Sequence, residues 1–387
     1  LAMASSYLRT GEREVFEIFQ DHPLLYADWA VAHPYGGVHY YCHWDAHVHV
    51  YSRLAGPLLC YLADGDPWLF EVSEQMGHYL CDSWGGNDHP HDTQTRSVYP
   101  GRGLSWLYEV TGHRAYWNDA VDLTIWFLET GITPKGEVRG FADKDDRLSP
   151  LYAGYSLPGI IPVYERCGNE RILEAVRKIG DWLIRCQGVP DEPCNAGVWV
   201  RDTFIWEREN LGPGNCGSST LCAEVQTWLA QATGEQKYFY SGAAAWANVV
   251  TTTRHDGVKG GLPMQTGSAR GIGTWSDKLP IYLHRLPAVA EKYAWPFVIE
   301  GVYDPTRESP IVVFVAGGGS FEDGVLKQPL YAANEKPVTI PIWCPQPPIE
   351  ARYGDRQIEL TYDEKFKTAT ATLPADSKPG VLRVKFR

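Results

Sequence analysis

The chain has 387 residues, of which 44% are hydrophobic and 21% charged, and its formal net charge is -12. This acidity argues against sequence-independent nucleic-acid binding, which needs a basic surface to displace counterions from phosphate. No apolar run approaches the roughly 18 residues of a membrane-spanning helix, so neither nucleic acid nor membrane is an expected partner. The length suffices for one large and one small domain.

An internal repeat organises most of the chain: an apolar helix, a short turn around a glycine, and a second helix. Apolar residues three and four apart predict these helices, for example over Leu104–Tyr108 and Ile172–Leu183. A glycine directly after a helix fits a left-handed C-cap. Because the repeat length varies, the pattern predicts a toroid of α/α hairpins rather than a regular solenoid. The turn glycines are Gly11, Gly65, Gly112, Gly168 and Gly234.

The first repeat is shorter than the others. Residues 1–10 supply only a stub of the helix that should precede Gly11. We therefore expect that an upstream segment, either cleaved or excluded from this numbering, precedes residue 1 in the natural protein.

A first cluster of ionisable and aromatic residues, Val38–His49, lies immediately before an apolar helical stretch and holds four histidines of the chain's 12. Histidine titrates near neutral pH and tyrosine can act as an acid or a base, so the cluster predicts a site. Single histidines also serve merely to satisfy buried polar groups. The candidate residues of this cluster are His39, Tyr40, Tyr41, His43, Trp44, His47 and His49.

A second cluster, Asn87–Arg96, adds His91 and Arg96 just before another helical run. Two clusters at equivalent places in the repeat predict one shared face. An acidic sugar would need only a local arginine, although each candidate can equally be a solvated or ion-paired side chain. The candidate arginines are Arg96, Arg102, Arg201 and Arg208.

A metal is an alternative use of the first cluster. His43 and His47 share a face if the helix has already begun, whereas His43, Asp45, His47 and His49 share a face of an extended segment. Either geometry can hold a divalent ion, but the spacing is not a specific zinc pattern. The sequence requires no cofactor and leaves a divalent metal open.

After about residue 290 the pattern changes from helices to strands. Pro310–Ala316 is β-branched and Val338–Trp343 alternates, as do the last residues, where Leu382 and Val384 flank Arg383. We predict a mainly α protein, with an α/α-toroid catalytic domain over residues 1–290. A small antiparallel β-sandwich is predicted over residues 291–387.

The nine cysteines form no regular framework. Five of them occupy apolar helical positions and are predicted to be small core residues: Cys60, Cys81, Cys167, Cys186 and Cys222. Cys194 and Cys216 lie in predicted loops, where a pairing is allowed but not demanded.

Gly56–Asp66 after a histidine-rich approach, then Arg96 and Gly101–Gly112, resemble the rhamnogalacturonan exolyase-like family over residues 30–130. The resemblance implies a central α/α toroid with β-domains before and after it, so that an upstream β-domain would be missing from this chain. The chain departs from the family's usual Thr-Gly-Asp turn, with Asp64-Gly65-Asp66 and Thr111-Gly112-His113 in its place.

The resemblance implies β-elimination at a uronic acid of a pectin-like polysaccharide or oligosaccharide, and the substrate class favours a secreted or periplasmic location. Such a reaction needs a group that neutralises the carboxylate, a base and an acid. Arg96 or Arg102 suits the first role, His43 or His47 the base, and Tyr41 or His91 the acid. The expected substrate-binding residues are His39, Tyr40, Trp44, His49 and Arg102.

Two other functions stay open. A glycoside hydrolase would use a pair of carboxylates, for which Asp45, Asp88 and Asp92 are available in the same two clusters. A noncatalytic glycan-binding toroid would show no turnover of any glycan. The excess of histidine favours the lyase.

Overall fold

The computed structural model describes residues 7–8, 10–33, 36–40, 43–47, 53–85, 95–187, 199, 216–252, 279–303 and 311–387. For some of these, His39, Tyr40 and His43–His47 among them, only the backbone is described. The chain divides into two compact units. The first is Leu1–Ile179 with Phe204–Trp206, and the second is Gly180–Thr203 with Glu207–Arg387. Among the described helices, none has the length and apolar character needed to cross a membrane.

The helices follow one another in hairpins, as the repeat predicts. In the first unit they are α1 (Arg13–Ala30), α2 (Ala55–Asp64), α3 (Pro67–Gly85), α4 (Gly101–Thr111), α5 (Arg114–Thr130), α6 (Pro150–Cys167) and the start of α7 (Glu170–Cys186). The second unit holds the rest of α7 with α8 (Cys216–Thr233), α9 (Gln236–Thr252) and α10 (Leu279–Tyr293).

The five predicted turn glycines are confirmed. Each adopts a left-handed backbone conformation, with φ between 62° at Gly168 and 80° at Gly65. Each also donates its N–H to the carbonyl four residues earlier, for example Gly112 to Tyr108 and Gly234 to Ala230. The turns are thus single-glycine C-caps that end one helix and free the chain to begin the next.

The residue before the glycine completes most of these turns. Thr111 Oγ1 accepts the N–H of His113 at 3.1 Å, and Thr233 Oγ1 accepts that of Glu235 at 3.2 Å. Asp64 does the same for Asp66 with its carboxylate. The side chain therefore satisfies a backbone N–H at the start of the following helix, which would otherwise lack a partner.

Glycines also allow close packing between α4 and α6 in the first unit. A Cβ atom on Gly101 would lie 2.7 Å from the carbonyl oxygen of Gly159, and one on Gly159 would lie 2.2 Å from that of Val98. Gly103 is equally close to the side chain of Leu54, just before α2. The Gly101-Arg102-Gly103 sequence thus packs against one neighbour on each side.

Two short sheets lie in the long connections of the first unit. Strands β1 (Val31–Ala32), β2 (Gly37–Tyr40) and β3 (His43–His47) form one antiparallel sheet. Strands β4 (Arg139–Phe141) and β5 (Lys144–Leu148) form the other.

The second unit contains one curled antiparallel sheet of ten strands. Hydrogen bonds join them in the order β6-β11-β14-β13-β12-β15-β10-β8-β7, with β9 added beside β10. Their bounds are β6 Phe297–Val298, β7 Val302–Tyr303, β8 Ile311–Val315, β9 Ser320–Glu322, β10 Val325–Ala332, β11 Val338–Trp343, β12 Pro348–Tyr353, β13 Arg356–Asp363, β14 Thr368–Leu373 and β15 Gly380–Phe386.

The buried side-chain amide of Asn248 joins helix α9 to this sheet by two hydrogen bonds. Asn248 Nδ2 donates to the carbonyl of Val315 at 2.7 Å, and its Oδ1 accepts the N–H of Val315 at 2.9 Å. Asn248 is fully buried, so both hydrogen bonds form away from water. The unit therefore has a common core of helices and strands.

The strand predictions are confirmed at β8, β11 and β15, where Leu382 and Val384 are buried and Arg383 is exposed. The two-sheet sandwich is not confirmed, because a continuous hydrogen-bonded path joins all the strands. The domain boundary at residue 290 stays a prediction. Of the predicted core cysteines, Cys60 and Cys222 are buried, but Cys167 is exposed because it ends α6 beside the Gly168 turn.

Replacing Gly112 by alanine tests the glycine turns. The left-handed backbone conformation disfavours a Cβ atom by about 1 kcal/mol, while nothing lies within 4 Å to clash with it. We expect Gly112→Ala to lower the free energy of unfolding by about that amount, measured by denaturant titration. Gly56→Ala is the matched control, because Gly56 lies in α2 with equal space around it. This variant should be as stable as the parent or more so; equal losses in both variants would contradict the account.

Candidate active site

The long connections of the first unit lie at one end of its hairpins. Each glycine turn reverses the chain, so α2, α4 and α6 all begin where a long connection ends. Leu54, at the end of the first connection, packs on Gly103 of α4. Thr95 Oγ1, in the second connection, donates to the carbonyl of Arg139 in the third. The predicted site residues from His39 to Arg96 belong to the first two of these connections, whereas Arg102 lies on α4.

The first histidine cluster forms a β-hairpin rather than the start of a helix. The backbone of His39 pairs with that of His47, and Tyr40 pairs with His43. Of the two alternatives, the extended one is confirmed over His43–His47 and the helical one is wrong. The side chains of His39, Tyr40, His43, Trp44 and His47 are outside the described part, as are Tyr41 and His49 altogether.

The base of this hairpin is fixed to helices α1 and α3. A Cβ atom on Gly36 would lie 2.1 Å from the carbonyl oxygen of Gln75, so only glycine fits there. His33 lies between the two helices, with Nδ1 2.8 Å from Gln75 Oε1 and Nε2 2.9 Å from the carbonyl oxygen of Ala27. The hairpin therefore leaves the helices at a defined place.

Arg96 lies on a 3₁₀ turn, Thr95–Val98, that is held on two sides. The hydroxyl of Ser156, fully buried in α6, lies 3.0 Å from the carbonyl oxygen of Thr95. The Thr95 side chain bonds Arg139 on the other side. The guanidinium carbon of Arg96 lies 5.1 Å from the ring centre of Tyr152 in the first turn of α6. These contacts fix the position of Arg96, which is partly buried, at the connection end.

Arg102 fills a gap in the hydrogen bonding of α6. The carbonyl of residue 158 would normally accept the N–H of residue 162, but residue 162 is a proline and has none. Arg102 Nε donates to the Pro158 carbonyl instead, at 3.1 Å, and only 7% of Arg102 is exposed. Through this hydrogen bond Arg102 holds α4 against α6. Its role in substrate binding stays a prediction.

Three helix N-termini contribute positive charge to this end. Helices α2, α4 and α6 begin there, and helix N-termini carry a partial positive charge that adds to that of Arg96. The Tyr26 hydroxyl, which no sequence pattern marks, accepts the backbone N–H of Arg53 at 3.1 Å. Burial raises the pKa of Tyr26 to about 12, so this phenol keeps its proton at neutral pH.

The other members of the two clusters lie outside the described residues: His91, Asp88 and Asp92, and also Arg201 and Arg208. Whether both clusters face one cavity stays a prediction. In the part of the chain that the structure covers, no group of three or more His, Cys, Asp or Glu residues has the arrangement of a metal site.

The second unit contains a buried carboxylate that no sequence pattern marks. Glu224 on α8 is only 2% exposed.

A separate titratable pair lies between α3 and α5. Burial raises the pKa of the Asp119 carboxyl, although a hydrogen bond with the Cys81 thiol opposes the shift, and burial also raises the pKa of Cys81. Asp119 Oδ2 is buried. This pair lies along the helices rather than in the connections, so we assign it to the core.

Comparison with known proteins yields no matching family model and no matching curated sequence. The chain is similar in structure to an unsaturated glucuronyl hydrolase specific for heparin (TM-score 0.55, 12% identity, covering 76% of this chain and 84% of that one). It is also similar to a polysaccharide lyase (TM-score 0.54, 13% identity, covering 76% and 89%). A β-arabinofuranosidase of glycoside hydrolase family 127 gives a TM-score of 0.53 at 13% identity, covering 100% and 69%.

At such identities the likeness is one of fold. These structural neighbours are α/α-toroid carbohydrate-active enzymes, and they include both lyases and hydrolases. None of the three proteins is named a rhamnogalacturonan lyase, so the finer family resemblance stays an expectation.

Replacing Arg102 tests its structural assignment. Arg102→Met should lower the free energy of unfolding by about 2 kcal/mol, because a buried carbonyl loses a charged donor. Arg171→Met is the control, since Arg171 is exposed and its replacement should change stability by less than about 0.5 kcal/mol. Denaturant titration measures both. Equal stability of the two variants would contradict the assignment.

Asp119→Asn should stabilise the protein more at neutral than at acidic pH. Since folding raises the pKa of Asp119, the unfolded chain loses this proton first as the pH rises above the ordinary carboxyl range. Stability then falls with rising pH, and the amide removes that loss. Thermal melting from pH 4 to pH 8 measures the effect. The exposed Glu129→Gln on the same helix is the control and should not reproduce this change, and a profile unaltered by Asp119→Asn would refute the assignment.

Proposed function

We propose that the protein is an α/α-toroid enzyme that cleaves a uronic-acid polysaccharide by β-elimination. The observation that carries this proposal is the placement of Arg96. Arg96 lies on a turn that is hydrogen-bonded to α6 and to the third connection, at the end of the first unit where three helices begin. A fixed arginine at a positively polarised end suits the recognition of a carboxylate.

We assign the three tasks of the elimination to residues at this end. Arg96 neutralises the substrate carboxylate, which makes the proton on C5 acidic. His43 or His47 removes that proton, the electron pair forms the C4–C5 double bond, and the bond from C4 to O4 breaks. Tyr41 or His91 donates a proton to the departing O4, so that charge and protons balance.

The β2–β3 hairpin supports the assignment of the base. Its backbone register places His39 opposite His47 and Tyr40 opposite His43, so four ring-bearing residues lie on two adjacent strands. Residues directly opposite in an antiparallel pair are within about 5.5 Å of each other. His39, Tyr40, Trp44 and His49 are then the proposed binding residues. Arg102 contributes by holding the helix that follows Arg96.

The names of two structural neighbours agree with this substrate class. One is named for an unsaturated glucuronyl sugar and another as a polysaccharide lyase. A rhamnogalacturonan-like polymer is the substrate that we propose from the family resemblance. Because Arg96 supplies the positive charge at the carboxylate, we propose that elimination proceeds without a metal, and chelator treatment should leave the activity intact.

A glycoside hydrolase is the second candidate. The fold also occurs in a β-arabinofuranosidase, and Asp45, Asp88 and Asp92 are available in the two clusters. A hydrolase would need two of these carboxylates within about 5–9.5 Å of each other.

The decisive assay follows ultraviolet absorbance and reducing ends together, with rhamnogalacturonan and other uronic-acid polysaccharides. A lyase produces an unsaturated uronate that absorbs. Arg96→Gln should lower kcat/KM on the order of a hundredfold, the usual cost of losing one charge-stabilising donor, while Arg96→Lys should retain part of the activity because the charge remains. Melting temperatures show whether each variant folds.

Three outcomes would contradict the proposal. New reducing ends without absorbance would identify a hydrolase. The absence of turnover with every glycan, together with glycan binding that His43→Ala and His47→Ala leave intact, would identify a noncatalytic binding protein. Full lyase activity in a folded Arg96→Gln variant would remove Arg96 from the site.

A further inference from the structure

A row of cations crosses the curled sheet of the second unit. In the backbone register Arg352 on β12 lies directly opposite Arg383 on β15, and Arg383 lies directly opposite Lys327 on β10. In the next row Lys385 lies between Glu350 and Val325. We call Arg352, Arg383, Lys327 and Lys385 the cationic face.

These four side chains share the solvent side of the sheet. Their neighbours along each strand, Ala351, Leu382, Val384 and Leu326, are buried on the other side. The Arg352 side chain is 53% exposed and that of Lys327 is 45% exposed. Neighbouring strands are about 4.8 Å apart, so the three residues of the first row lie within about 10 Å.

This arrangement opposes the stability of the sheet. Like charges directly opposite each other on paired strands are unfavourable. The outer two cations have carboxylate partners: Arg352 Nε is 2.5 Å from Glu350 Oε1, and Lys327 Nζ is 3.1 Å from Glu322 Oε2. Arg383, between them, donates only to the carbonyl of Gly354, at 3.3 Å, and has no ion-pair partner among the described side chains.

The surroundings make the cationic face stand out. The chain has 47 acidic and 35 basic residues, yet three cations lie side by side on adjacent strands in the first row. A ligand that carries several negative charges would offset the repulsion. The face therefore has the charge complementarity expected of a site for an extended polyanion.

We propose that the cationic face binds an acidic polysaccharide, a linear glycan with carboxylates along its length. The choice of polymer rests on the proposed function, since such a chain would be held here as well as cleaved elsewhere. A single-stranded nucleic acid fits less well, because sites for it combine cations with stacking aromatic rings and none of the four residues is aromatic. Burial in a membrane surface would need an adjacent apolar stripe, which these two rows lack.

The test measures binding of polygalacturonate by calorimetry over a salt series, with absorbance recorded to show that the polymer stays intact. Replacing the first row by glutamine, in the variant Arg352→Gln/Arg383→Gln/Lys327→Gln, should weaken binding at least about tenfold at low salt. It should also make the salt dependence shallower, because fewer counterions are released. Arg383→Gln alone leaves both ion pairs in place and should weaken binding to a lesser degree without lowering the melting temperature.

The matched control is Lys365→Gln/Lys367→Gln/Lys378→Gln. It removes the same charge from exposed turns of the same unit and should bind polygalacturonate as the parent does. The proposal is overturned if the parent does not bind, if both triple variants lose affinity equally, or if an uncharged polysaccharide binds as tightly. Tighter binding of single-stranded DNA or of anionic phospholipid vesicles would also overturn it, by assigning the face to another partner.

The binding test and the activity assay test two separate claims. Binding requires no turnover, so polymer binding lost in the row variant would stand even if the protein proved not to be a lyase. Conversely, the protein could prove to be a lyase while the Arg352→Gln/Arg383→Gln/Lys327→Gln variant binds the polymer as tightly as the parent. The proposed function would then stand and only the binding role of the cationic face would be wrong.

Discussion

The first unit depends on one hydrogen bond that its sequence makes necessary. The Pro158 carbonyl in α6 has no helical donor because Pro162 occupies the position that would supply it. Arg102 supplies that donor from α4. Gly101 and Gly159 let the two helices approach closely enough for this contact, and the turn that carries Arg96 packs on the same part of α6 through Ser156. The position of the candidate catalytic arginine thus follows from a proline pair in a neighbouring helix.

Local sequence rules are sufficient to predict the glycine turns and strands β8, β11 and β15. Glycine has no Cβ atom and therefore adopts the left-handed conformation at little cost, and Gly65, Gly112 and Gly168 end their helices in that region. Strict alternation of apolar and charged residues likewise predicted β15. The single sheet was harder to foresee, because strand order depends on contacts between segments distant in the chain, such as β10 with β15.

The candidate site was only partly predictable. The spacing of His43 and His47 is compatible with a helix and with a strand. The structure has a strand, whose hairpin is held at its base by the packing of Gly36 against Gln75. Arg102 is predicted from the sequence to bind substrate, but its hydrogen bond to the Pro158 carbonyl could not be predicted, because a backbone partner leaves no mark in the sequence. The pairing of Pro158 with Pro162 was a signal that could have revealed this role.

We propose that a uronate binds at the connection end of the first unit, and a crystal structure with a bound uronate oligosaccharide tests this most directly. We predict that the sugar carboxylate lies within hydrogen-bonding distance of the Arg96 guanidinium, with the scissile bond beside the β2–β3 hairpin. A sugar that binds elsewhere in the molecule, or one whose carboxylate has no contact with Arg96, would contradict the account.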